Sequence, residues 1–202
     1  MKKFIIVIGL LMVAALATLI GTGALKSKEN RMGEVAKEAA GGNKKSAVAI
    51  KGKDFKVSEK ELKTKVKYFK AAGVEDPEKA AKDSFIEKES LYALAVSKGY
   101  SATQQEVDEV VEEIKQGVKE AKNEEIQNYI EGFGSEEEFW EFERELESKN
   151  LVIKKYLEDE KKDYLGSGDD GSYTSEEENR WQNHYESIKK KAIKKQKIEI
   201  SY

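Results

Sequence analysis

PEKAAKDSFIEKESLYALAVSKGYSATQQEVDEVV, residues Pro77 to Val111, decides the fold, because its start signals, stop signals and apolar spacing agree on a helical hairpin. Asp76 supplies an N-cap acceptor, Pro77 presets the first-turn φ, and Gly99 can take the left-handed conformation that ends a helix. Between them, Ala81, Phe85, Leu91 or Tyr92, and Ala95 recur at helical spacing, while Lys82, Glu87, Lys88 and Lys98 fall on the wet side. Thr103 and Glu106 form a T-x-x-E capping box, and Val107, Val110, Val111, Ile114 and Val118 give the second helix its own stripe.

Outward from the hairpin, similar signals repeat. Upstream, Ala47 to Ile50 and Phe55 to Val57 flank a turn containing Gly52 and read as a small β-hairpin. Ser58 and Glu61 then cap a helix that carries Leu62, Val66 and Phe69 and stops at Gly73. Downstream, a short helix from Glu124 to Glu131 ends at Gly132 and Gly134. Ser135 and Glu138 open a long helix with Phe139, Phe142, Leu146, Ile153, Leu157 and Tyr164 on its stripe and Trp140 and Tyr156 at its edge. Residues 165–174 have loop composition. Ser175 and Glu178 begin a last helix, and Lys197 to Ser201 alternates as a short strand whose Ile198 and Ile200 are expected to face the helices.

The order Phe85-Ile86-Glu87, Leu91-Tyr92, Ala95, Gly99-Tyr100, Thr103, Glu106 and Val107 resembles the central segment of the SurA-type N-terminal chaperone domain, shared with the PrsA-type extracytoplasmic foldases. The flanking elements fall in the family's order over residues 47–165 and again at the C-terminus. The resemblance implies a mainly α fold: a SurA-like helical domain whose small β-hairpin is joined by the returning C-terminal strand. It also implies a peptide-binding module outside the cytoplasm. In complete foldases a parvulin prolyl-isomerase domain is inserted near residues 165–174; the loop here is too short to hold one, so no isomerase activity is expected.

The N-terminus carries Lys2 and Lys3 and then an uncharged run, residues 4–25, which at ~1.5 Å per residue is long enough to cross a hydrocarbon core of ~30 Å. It reads as a transmembrane anchor or a signal segment, with Thr22-Gly23-Ala24 offering small residues for cleavage. Residues 26–46 read as a linker ending in a Gly41-Gly42 joint, and 47–202 as the folded domain. The expected localisation is the cell membrane, single-pass, with the C-terminal domain extracytoplasmic, or secretion if the signal is cleaved. The PrsA-type lipid-carrying cysteine has no counterpart, so any anchoring falls to the apolar run itself.

The 202 residues include 36 basic and 39 acidic side chains, a net charge of −3 that gives no reason to expect nucleic acid. No cysteine is present, which excludes disulfides, thiolate zinc sites and thiol catalysis. His184, the single histidine, has no nucleophile or metal-ligand partner at meaningful spacing, and the 165–174 loop fails the calcium-loop template at Gly166 and Gly168. Neither a catalytic residue nor a metal or cofactor is therefore expected. The aromatic residues off the main stripes, Tyr68, Trp140 and Tyr185, are the candidate peptide-binding positions. Two functions follow as expectations. One is a monomeric, membrane-tethered holdase for unfolded or exported polypeptides. The other is a non-enzymatic interaction or regulatory module docking one specific envelope partner.

Overall fold

The computed structural model describes residues 26–40, 46–166 and 173–201. Among them, seven helices and one small sheet follow in the order α1 Lys26–Ala40, β1 Val48–Lys51, β2 Lys56–Ser58, α2 Glu59–Ala71, α3 Pro77–Ser97, α4 Gln104–Ala121, α5 Glu124–Gly132, α6 Glu136–Leu165, α7 Ser175–Gln196 and β3 Glu199–Ile200. The described chain is mainly helical. No helix among these residues is long and apolar enough to cross a membrane, and the expected span, residues 4–25, lies outside them.

The central hairpin forms as its caps dictate. Asp76 accepts from the Lys79 amide at 3.0 Å with Pro77 in the first turn, and Gly99 adopts φ +92°. The Thr103 and Glu106 box closes reciprocally, and Glu106 also binds Lys155 of α6, so this cap ties two helices together. Ser58 and Glu61 form the expected box at α2. Two caps depart from expectation because a carboxylate has a better partner elsewhere. Glu138 pairs with Lys37 of α1 at 2.7 Å, leaving Ser135 with half a box. The last helix starts one residue early, capped by Thr174 and Glu177, while Glu178 reaches Lys161 at 2.7 Å.

Three apolar clusters hold these elements. One joins α1, α4, α5 and α6 through Met32, Val111, Ile126, Phe133, Phe139 and Trp140. A second packs Leu91 and Ala95 of α3 against Val152 and Tyr156 of α6 and Ile188 and Ala192 of α7. The third seats Ile50 and Val57 of the sheet on Leu62 and Ala81 of α2 and α3. Because α6 serves several neighbours it buries more than one face: Trp140 and Tyr156, expected at its edge, are enclosed, and the expected stripe residue Tyr164 is 40% exposed.

Residues 26–46 are not simply a linker. Their first part is α1, which lies directly on α5, with Met32 only 1% exposed. Gly33 and Gly132 make that approach possible, since a Cβ at Gly33 would stand 2.1 Å from the Tyr129 carbonyl oxygen, and one at Gly132 would stand 2.2 Å from that of Asn30. The folded unit therefore begins before residue 47.

The sheet is antiparallel in the order β2-β1-β3, so the C-terminal strand does return to the opening hairpin. Ile50 registers with Ile200 and Lys51 with Glu199, the latter pair bridged at 3.2 Å. Only Ile198 packs against the helices. Ile200 stays 50% exposed because β3 is the sheet's edge and covering helix surface does not extend over it. Gln196, 1% exposed, locks the junction: its side chain bonds the Asp54 amide and carboxylate, each at 2.9 Å, and its carbonyl accepts from the Lys53 amide at 2.8 Å.

Candidate binding cavity

A cavity of about 250 Å³ lies among α1, α2, α3, α5 and α6. Its apolar walls are Val35 and Ala36 of α1, Phe85 of α3, and Phe142 and Leu146 of α6. Tyr68 of α2 and Tyr129 of α5 add phenol rings with hydroxyls. The spacing that makes these helices amphipathic brings the rings together: Phe85 and Lys88 lie three apart on α3, as do Lys65 and Tyr68 on α2, so each helix presents a ring and a charge side by side.

The charges give the cavity its character. Lys149 pairs with Glu89 at 2.6 Å and lies over the Tyr92 ring. The Lys65 ammonium sits 5.3 Å from the Phe69 ring centroid and 6.0 Å from that of Phe85, a cation held on aromatic faces. Among the described residues, Lys88 and Glu143 have neither a hydrogen bond nor an ion pair. Glu147, buried beside them, accepts from the Asn150 amide at 2.8 Å.

Enclosure shifts these groups toward their neutral forms. Glu143 is pushed up to about 8, first by burial and then by the neighbouring Glu147, with Lys88 opposing. Lys88 is brought down to about 8, first by burial and then by repulsion from Lys65, with Glu89 and Glu147 opposing. Burial alone lowers Lys65. The Tyr68 hydroxyl is raised to about 12 by burial and the Glu143 charge, and that of Tyr129 is also raised well above its ordinary value, again chiefly by burial. Tyr129 donates its hydroxyl to Tyr68. Near neutral pH, the groups left to donate hydrogen bonds into this space are two ammoniums, a protonated carboxyl and the Tyr68 hydroxyl, with Glu145 an exposed carboxylate on the rim.

Of the three expected peptide-binding residues, the structure places only Tyr68 at this cavity. Trp140 is 6% exposed in the first cluster, donates its indole N–H to Glu136 at 3.0 Å and lies under the Lys115 ammonium. Tyr185, half-buried against the second cluster, donates its hydroxyl to Glu87 at 3.0 Å, and burial with that carboxylate raises its pKa. The three do not form one surface. Lys88, placed by spacing on the wet face of α3, instead faces the enclosed space. The signal that marks it is a charge set between Phe85 and Tyr92 on an apolar stripe, and Glu143 stands likewise between Phe139 and Leu146.

Elsewhere, His184 stacks on Tyr164 with centroids 3.9 Å apart and lies 3.8 Å from Glu160. No group of His, Asp or Glu side chains suited to a metal ion occurs among the described residues, and Asp169 and Asp170 of the acidic loop lie outside them. The chain matches no protein-family model, no curated protein and no solved structure.

Proposed function

We propose that this protein is a membrane-tethered, extracytoplasmic holdase, similar to the SurA and PrsA chaperone module but without a prolyl-isomerase domain, that shelters apolar segments of unfolded or exported polypeptides. The observation that carries this reading is the five-helix cavity. At about 250 Å³ it is smaller than a drug-sized site and has room for one or two side chains. Aromatic walls with a charged rim favour an apolar residue in an extended chain without reading a sequence, and so give weak binding to many clients. The return of β3 to the opening hairpin, with the helices between, is the arrangement the resemblance implies. Residues 4–25 would tether the domain, and the folded chain acts as a monomer.

Suppression of aggregation of several unrelated unfolded clients by the full chain tests the proposal. Ser84→Phe would fill the cavity from its α3 wall and is expected to abolish most of that suppression while leaving the walls intact. Absence of suppression by the unaltered protein would overturn the reading. Tight binding to one folded envelope partner in its place would establish the interaction-module alternative.

A further inference from the structure

The cavity holds more unpaired positive charge than its apolar walls require. Its lining carries three lysines, and only Lys149 has a carboxylate partner there, in Glu89. Of the other acids on the lining, Glu61 is occupied by the α2 cap and Glu145 lies exposed at the rim. Among the described residues, Lys65 has aromatic faces but no ion pair, and Lys88 has no ion pair, with Glu89 and Glu147 near enough to favour its charge without bonding it. Partly buried cations without an ion pair are costly, and an anion arriving from outside would offset that cost. Glu143, also on the lining, is held by burial and Glu147 in its neutral, donating form at neutral pH. Donors thus converge from three helices: Lys65 and Tyr68 from α2, Lys88 from α3 and Glu143 from α6.

We propose that the cavity binds a carboxylate carried on an apolar body, with Lys88 and Lys65 holding the anion, Glu143 and Tyr68 donating to it, and Phe85 and Phe142 packing against the body. This deepens the holdase reading and rests on the same cavity. Two sources share the chemistry: the C-terminal residue of a polypeptide and a free fatty acid. A bidentate carboxylate can take donors from two helices at once, which a backbone carbonyl of an internal residue cannot do with comparable strength.

Charged and titratable groups around the site set its pH response. Glu61, Lys65, Tyr68, Lys88, Glu89 and Tyr129 face it from α2, α3 and α5, and Glu143, Glu145 and Lys149 from α6, with Glu147 buried beside them. As pH rises through about 8, Glu143 ionises and Lys88 loses its proton, so anion binding weakens.

The test is calorimetric titration of the full chain in nonionic detergent with N-acetyl-phenylalanine and its amide, and in parallel with hexanoate and hexanamide. Each acid is expected to bind at least about tenfold more tightly than its amide at neutral pH, and the tighter acid identifies the source. Lys88→Gln should erase that preference with the circular dichroism spectrum unchanged, and Glu143→Leu, which removes a donor, should reduce it. Equal binding of acid and amide, or no acid binding up to about 10 mM, overturns the proposal. Acid preference without aggregation suppression would remove the holdase reading and leave this one, and suppression without acid preference would do the reverse.

Discussion

Gly33→Ala is expected to destabilise the protein, although alanine is the better helix former. Gly33 lies inside α1, where the exchange by itself would gain about 1 kcal/mol. Its new Cβ, however, would stand 2.1 Å from the Tyr129 carbonyl oxygen and 2.9 Å from the Gly132 Cα. These are backbone atoms, which cannot rotate away as a side chain can. Restoring an ordinary separation of about 3.5 Å would lift α1 off α5 by more than an ångström. A gap of that size forfeits about half of each dispersion contact across the interface. It also opens the burial of Met32, worth about 1.5–3 kcal/mol. With overpacking strain of about 1–3 kcal/mol added and the propensity gain subtracted, the net loss is about 1.5–5 kcal/mol. At ~2–4 °C per kcal/mol for a chain of this size, Tm should fall by about 3–20 °C. Gly117→Ala is the control, since Gly117 lies in α4 with nothing within 4 Å of its added Cβ, and it should raise Tm by about 2–4 °C. Thermal circular dichroism of the full chain in detergent reads both. A rise in Tm for Gly33→Ala matching that of Gly117→Ala would refute the close docking of α1.

The cavity groups give the protein an unusual pH profile. Between about 4.5 and 8 the folded chain keeps on Glu143 a proton that the unfolded chain has released, so stability falls as pH rises, by at most about 1.4 kcal/mol per pH unit. Between about 8 and 10.5 the unfolded chain holds the proton on Lys88, and stability recovers as pH rises. Denaturant titrations across this range should show a minimum near 8, with Glu143→Gln flattening the acid limb; an unaltered profile in that variant would contradict the assignment. Gln196→Ala removes both side-chain bonds to Asp54 and should cost about 1–3 kcal/mol, seen as a lower denaturation midpoint, whereas an unchanged midpoint would mean that the junction holds without it. Prolyl-isomerase activity should be absent in a protease-coupled prolyl-peptide assay, and a rate above background that persists on further purification would count against this.

Much of the local architecture is legible in the sequence because it depends on residues three or four apart. Ser58, Asp76 and Thr103 cap as their spacing implies, and Ile198 to Ser201 returns to the hairpin as alternation implies. Contacts set by third parties are not legible. Glu138 leaves its box for Lys37, a partner about 100 residues away in sequence, which no local pattern encodes. Gly132 reads as a helix stop, yet its second role is to admit the backbone of α1. Ile200 alternates correctly, but alternation does not say how far the covering helices extend. A stripe also describes one face, whereas α6 meets several helices and encloses Trp140 and Tyr156 as well.

The cavity is the least legible feature in the sequence and bears most on function. Lys65, Lys88 and Glu143 interrupt apolar stripes, and a charge in such a position is ordinarily assigned to water. A core chosen for stability alone would place Leu or Met at these positions, because apolar replacements of enclosed ionic groups are often neutral or stabilising. The helices instead bring two ammoniums and a carboxyl to one enclosed space and leave Lys88 and Glu143 unpaired among the described residues. Local rules fail together at Lys88 and Glu143, on two different helices, and both failures open into the same space. Such coincidence is what a binding site requires and what packing does not.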